Sequence, residues 1–256
     1  MEQLKRIMSG DFARNEARQY LLCMSGVFWG LILLAWLGYP AENRYSIMTH
    51  TFSFLGSYET KHNPHWWWLF TVAMIFWGGA GIPLSLYYRR RLHVVSSRGA
   101  WVGAGLLILG FVNIGLVGVF PDVRTVVYNE LRVTDIHEKT AVLSAVGFIL
   151  GISGYGLLLL KDALGERRLA HRGMVAPYVF WVGVLTVASY FLIKWEFVYA
   201  EKRAAAQAAG VSIGSSWSEA LNTRYSFPLW ENILIYTLFI FLVWFGFTLS
   251  QAEPRT

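Results

Sequence analysis

The chain has 256 residues, 55% of them hydrophobic and only 15% charged, where an ordinary soluble domain carries about 25% charged residues. Its net charge is +6 and its mean hydropathy +0.42, but the basic residues stand in short clusters between apolar runs, which argues for membrane topology and against a nucleic-acid partner. With Cys23 as its single cysteine the chain forms no internal disulfide.

Six apolar segments, at about 20–39, 67–88, 99–120, 137–160, 176–199 and 229–249, approach the roughly 20 residues a helix needs to cross the hydrocarbon core. The spacing predicts an all-α, polytopic six-helix transmembrane bundle, one integral membrane domain over 1–256. The polar stretch before the first segment is longer than the charged start of a signal peptide, so that segment reads as a retained helix. Pro177 and Pro228 sit where helix starts tolerate a missing N–H, and Pro83 falls inside the second span, where it should bend it.

Lys5, Arg6, Arg14 and Arg18, then Arg89, Arg90, Arg91 and Arg98, then Lys161, Arg167, Arg168 and Arg172 all fall on one side of such a bundle, with Arg255 at the end. The other side carries fewer: Arg44, Lys61, Arg124, Arg132, Lys202, Arg203 and Arg224. Cytoplasmic connections carry the excess of Lys and Arg. Both termini are therefore expected in the cytoplasm, and the three longer connections, about 40–66, 121–136 and 200–228, outside. Trp66, Trp67, Trp68, Trp195 and Trp230 fall at the outer headgroup level, where Trp anchors helices.

In the first outer connection, YSIMTHTFSFLGS (45–57) reads as a short amphipathic helix at the interface. Ser46, His50, Ser53 and Ser57 share one stripe, beside the apolar Tyr45, Met48, Phe52 and Leu55; the stripe is either solvated or turned toward a polar pocket. His62 and His65 form a His-x-x-His pair, but Asn63–Pro64 between them favours a turn over helical ligand spacing. In the second connection Phe120–Pro121–Asp122 ends the third span and Asp135–Ile136–His137–Glu138 starts the fourth. Asp135 with Glu138 resembles a capping box. His137, with Ala141 and Ser144 on its face, can point into the bundle, where an ionisable group needs a partner.

Asp122 and His50 are the nearest candidates for that partner. Asp122 could orient His137 as a base with Ser53 as a hydroxyl, or Asp122, His137 and His50 could hold a divalent metal such as zinc. The structural alternative is a hydrogen bond tying two loops together. Ser46, Asn113, Lys194 and Glu231 are candidate substrate-binding groups; Lys194 can pair with Glu231 or snorkel outward. Ala204–Gly214 reads as a helical extension of the fifth span followed by a turn. No P-loop, dinucleotide fingerprint, zincin motif or nucleophile elbow occurs.

HTFSFLGS (50–57) followed by Asn63–Pro64, then GVFPD (118–122) and His137 with Ala141 behind it, resemble the pattern of a prokaryotic six-span family designated domain of unknown function 998. That family is itself distantly similar to the Frag/DRAM group of multi-span proteins, and the resemblance covers nearly all of the chain. Phe54 departs from it, standing where the Ser-x-Leu-Gly stretch is expected to be acidic. The resemblance implies a bacterial or archaeal cytoplasmic membrane, a six-span fold, a cluster of outer-side polar residues and, by analogy with lipid remodelling, a membrane lipid as substrate or partner.

Two functional classes follow. One is a lipid-active membrane enzyme, a hydrolase or transferase assisted by a metal or by the His/Asp pair; the other is a non-catalytic lipid-binding or scaffold protein. Convergence of the polar groups separates them. A transporter fits less well, since the chain has no apparent repeat and few intramembrane charges.

Overall fold

A computed structural model describes residues 2–59, 62–128, 131–165, 173–210, 224 and 226–252. Its helices are α1 (Glu2–Met8), α2 (Arg14–Leu37), α3 (Trp67–Leu92), α4 (Ser97–Val119), α5 (Val133–Leu164) and α6 (Val175–Ala208), followed by α7 (Phe227–Gln251). All but α1 are long and apolar enough to cross a membrane, and each contains or closely matches one of the six apolar segments of the sequence. The chain is a multi-pass membrane protein with an all-α bundle. A helix bonds its own backbone, which lipid cannot do, and this is why spans take that form.

The bundle is tightest along α4, which packs against α3 on one side and α5 on the other. Glycine makes that possible. A Cβ at Gly78 would lie 2.6 Å from the Phe111 carbonyl and 2.9 Å from the Gly115 Cα, and one at Gly147 would lie 2.6 Å from the Gly110 nitrogen and 2.8 Å from the Leu106 carbonyl. Where lipid gives no hydrophobic drive for association, such backbone approach supplies the packing energy. Above this seam an aromatic core surrounds the fully buried Trp77, with Phe28 at 4.9 Å, Phe239 at 5.5 Å and Phe148 at 6.0 Å between ring centroids. α7 closes the bundle against α2 and α6, and Leu22, Leu33, Val182 and Ile193 face outward as a lipid surface does.

Several local expectations need correction. α5 starts at Val133 with Arg132 as its N-cap, so Asp135 lies in the first turn and the capping box with Glu138 does not form. A two-residue hairpin, Val127–Tyr128 with Leu131–Arg132, leads straight into the helix and starts it early. The 45–57 segment is not one α-helix: residues 47–49 form a turn and Phe52–Gly56 a 3₁₀ helix. Three residues per turn put Phe52 and Leu55 on one face, and both are buried against the bundle with Tyr45.

Trp66 and Trp68 are exposed as anchors should be, but Trp195 is buried within the protein. Pro83 lies inside α3, as the sequence indicates. The Ala-rich extension of the fifth span is helical to Ala208 and ends near Gly210, whose φ is 63°. Positions 211–214 of that stretch, and Lys61, lie outside the described residues.

Gly147→Ala should lower stability by about 1–3 kcal/mol, because the added methyl meets backbone that cannot yield. Gly154→Ala, with nothing within 4 Å of the new carbon, should leave the melting temperature in detergent unchanged or slightly higher. Equal effects of the two would defeat the glycine-seam account.

Candidate functional site

The connections 38–66 and 120–132 lie at one end of the bundle, here called the loop end. They are tied together by Glu59, whose carboxylate accepts from the backbone N–H groups of Arg124 and Thr125, the latter at 3.0 Å. Because α4 and α5 are sequential and antiparallel, Asp122, just past α4, meets the first turns of α5. Asp122 Oδ1 accepts from the Thr134 hydroxyl at 2.7 Å and Oδ2 from the Ser53 hydroxyl at 3.2 Å, while Thr51 Oγ1 lies 3.0 Å from Ser53 Oγ. One carboxylate thus joins the first loop, the end of α4 and the start of α5.

His137 points inward and is buried, as its helical position indicates. Its partner is not Asp122. Nδ1 lies 2.7 Å from the Phe120 carbonyl oxygen, and a carbonyl only accepts, so Nδ1 carries the proton. This leaves Nε2 as the ring nitrogen free to face a ligand, an orientation shared by general bases and by metal-ligating imidazoles.

Across the bundle mouth, α7 opens with Ser226 as its N-cap, the hydroxyl accepting from Leu229 N–H. Glu231, just past the first turn, has a buried Oε2 with no hydrogen-bond partner. The Phe52 N–H faces this carboxyl, and the Asp122 charge acts on it. The next residue, Asn232, is fully buried and works as a clamp. Its Nδ2 donates to the His50 carbonyl at 3.0 Å and the Pro228 carbonyl at 2.8 Å; its Oδ1 accepts from Tyr45 at 3.0 Å and Tyr236 at 3.2 Å. Burial raises the Tyr45 phenol above its ordinary 10.0, with Tyr236 and Glu231 pushing the same way, so it remains a donor.

His50 belongs to a different group from Asp122 and His137. Its Nδ1 lies 2.8 Å from Thr49 Oγ1 and 3.3 Å from the Ser46 nitrogen, and its Nε2 lies 3.2 Å from Asn43 Oδ1. The His62 ring is 5.7 Å away, stacked on Phe54 at 3.8 Å and held by Tyr39 at 3.0 Å. The expected metal set of His50, Asp122 and His137 therefore does not assemble: one imidazole is bonded within its own loop, the other to a carbonyl, and the carboxylate to two hydroxyls. Among the described residues no three His, Cys, Asp or Glu side chains group as a metal ion requires.

The other candidates divide. Ser46 Oγ accepts from Met48 N–H at 3.2 Å and turns the loop. Asn113 is buried but donates to the Leu109 carbonyl of its own helix at 2.8 Å, not to a neighbouring helix. Lys194 is exposed on α6, 5.9 Å from the Tyr190 ring, with no ion pair to Glu231. Thr134, Asn232 and Glu59 were not marked by sequence reasoning. Thr134 stands one helical turn before His137.

No protein-family model, no curated protein and no solved structure matches the chain. The functional argument accordingly rests on this geometry.

Asn232→Ala removes the clamp and leaves the Tyr45 hydroxyl without its partner, at a cost of about 1–3 kcal/mol. Amide exchange over residues 44–57 should rise while exchange in α4 and α5 stays slow. Uniform loosening of the whole chain would contradict a local clamp.

Proposed function

We propose that the loop end binds the polar headgroup of a lipid or other amphiphile in the outer leaflet, with Glu231 and His137 as the groups that take it up. The carrying observation is Glu231: a buried carboxylate oxygen without a hydrogen-bond partner, beside a second carboxylate. A buried polar group at membrane depth without a partner is costly and marks function by default. A buried carboxyl oxygen and an imidazole nitrogen, both open, suit a polar ligand that exchanges hydrogen bonds with them, such as a hydroxyl-bearing headgroup. Asp122, saturated by Ser53 and Thr134, serves as the frame.

Binding is favoured over chemistry because the Ser53 hydroxyl bonds to Asp122 and not to His137, so the imidazole has no hydroxyl nucleophile at hydrogen-bond distance among the described residues. Enzyme action is the second reading, supported by the His137 tautomer alone. The resemblance to the six-span family and the Frag/DRAM group agrees with a lipid ligand. Placing the loop end outside, with both termini in the cytoplasm, rests on the Lys/Arg asymmetry; a prokaryotic membrane is what the resemblance to the six-span family implies.

Native mass measurement of the purified protein should find a co-purifying amphiphile. Glu231→Gln should weaken its retention about fivefold, as loss of a hydrogen bond worth about 1 kcal/mol does, with little change in melting temperature; His137→Ala should do the same. Retention untouched by both variants would refute the reading. For topology, single cysteines at Arg124 and Arg98 in a Cys23→Ser background should label from outside and inside respectively. Labelling from the same side would overturn the orientation.

A further inference from the structure

The opposite end of the bundle carries an arrangement that the loop end does not use. Arg18 lies one turn into α2 and Arg91 in the last turn of α3. A Cβ at Gly246 of α7 would lie 2.9 Å from both a Leu21 methyl of α2 and the Tyr88 hydroxyl of α3, so Arg18, Arg91 and Leu249, each three residues further toward this end, stand at one level. Arg91 donates through Nη2 to the carbonyls of Leu249, at 3.4 Å, and Ala252, at the C-terminal end of α7, where free carbonyls and the helix dipole favour a cation. The Nε atoms of Arg18 and Arg91 are both buried without a hydrogen-bond partner.

Arg18 has no hydrogen bond or ion pair among the described residues. Nearby carboxylates are engaged elsewhere: Glu16 holds Arg6 at 2.9 Å and the Ala13 N–H at 2.7 Å, and Asp11 lies 4.0 Å from Arg90. An arginine in a protein does not shed its proton. Two like charges at one level, with open N–H groups, call for an anion beyond those the described residues supply. The planar fork of N–H groups matches phosphate oxygens best.

An apolar groove starts beside this pair. Arg18, Leu22, Ser25 and Trp29 follow one another at helical spacing on α2, and Leu22 is exposed. Ser25 and Trp29 then line a groove of about 460 Å³ with Phe239, Val243 and Phe247 of α7. Its serine is satisfied internally, the hydroxyl donating to the Leu21 carbonyl at 2.7 Å. The wall is otherwise hydrocarbon and aromatic, and Phe247 lies just before Leu249, whose carbonyl Arg91 holds. A charged seat at the membrane boundary continuing into an apolar channel has the two-part chemistry of a phospholipid.

We propose that Arg18 and Arg91 seat the phosphate of an anionic phospholipid, with an acyl chain in the groove between α2 and α7. A free phosphate ion would use the seat but not the groove. Charge complementarity favours an acidic lipid over a zwitterionic one.

The test titrates the full-length protein in detergent with phosphatidylglycerol and with phosphatidylcholine, reading bound lipid by native mass measurement and stability by melting temperature. Phosphatidylglycerol should bind in preference and raise the melting temperature. Arg18→Gln, which breaks no bond within the protein, should weaken that binding about fivefold, near what one basic residue contributes at a membrane surface. Arg14→Gln, which removes the same charge from an exposed position one turn away, should change it less than about twofold, since attraction to an exposed charge is diffuse. Val243→Trp should block the groove and weaken binding with the arginines intact. Equal binding of the two lipids, equal loss in the Arg14 and Arg18 variants, or stabilisation by millimolar inorganic phosphate matching that by lipid would each overturn the proposal.

Discussion

Backbone contact between α4 and its two neighbours is the constraint from which the rest of the molecule follows. Gly78 and Gly115 let α3 and α4 touch, and Gly110 and Gly147 do the same for α4 and α5. At such distances a helix cannot slide or rotate without collision. The loop ends of α4 and α5 are therefore held in fixed register, which places the Phe120 carbonyl under the His137 ring and Asp122 beside Thr134. The polar cluster inherits its geometry from a seam deep in the apolar part of the bundle.

Upon that rigid pair the first connection folds down and is fastened from three directions. Ser53 reaches Asp122, Glu59 reaches the amides after α4, and Asn232 of α7 holds both Tyr45 and the His50 carbonyl. These bonds join residues far apart in the chain, and the two made by Asn232 are buried. One carboxyl oxygen of Glu231, Oε2, is left without a partner beside this network.

The six spans were legible in the sequence because hydrophobicity over about 20 residues is a local property that lipid imposes directly. The inward aim of His137 was legible too, from the small residues Ala141 and Ser144 on its helical face. Its partner was not, since a backbone carbonyl such as that of Phe120 leaves no mark in a residue pattern. Thr134 was hidden because α5 begins ahead of its apolar run, where the hairpin delivers the chain already aligned. His50 misled for another reason: its serine stripe suggested a helix facing the pocket, while packing of Phe52 and Leu55 favoured a tighter 3₁₀ turn and left the imidazole bonded to Asn43 and Thr49. Asn232 pairs across more than 180 positions with Tyr45 and His50, a relation that one sequence does not reveal.

α6 behaves differently from the other spans. Its 34 residues amount to about 50 Å of helix, while the hydrocarbon core is only about 30 Å thick. Beyond the charged Glu201 and Lys202 its alanines are mostly exposed and touch no core. That last stretch stands on intrinsic helix propensity, which alanine maximises but which weakens with warming. Its length is therefore set by temperature and solvent as a helix–coil equilibrium, and the rod fraying at its tip shortens without any change in the packed bundle behind it.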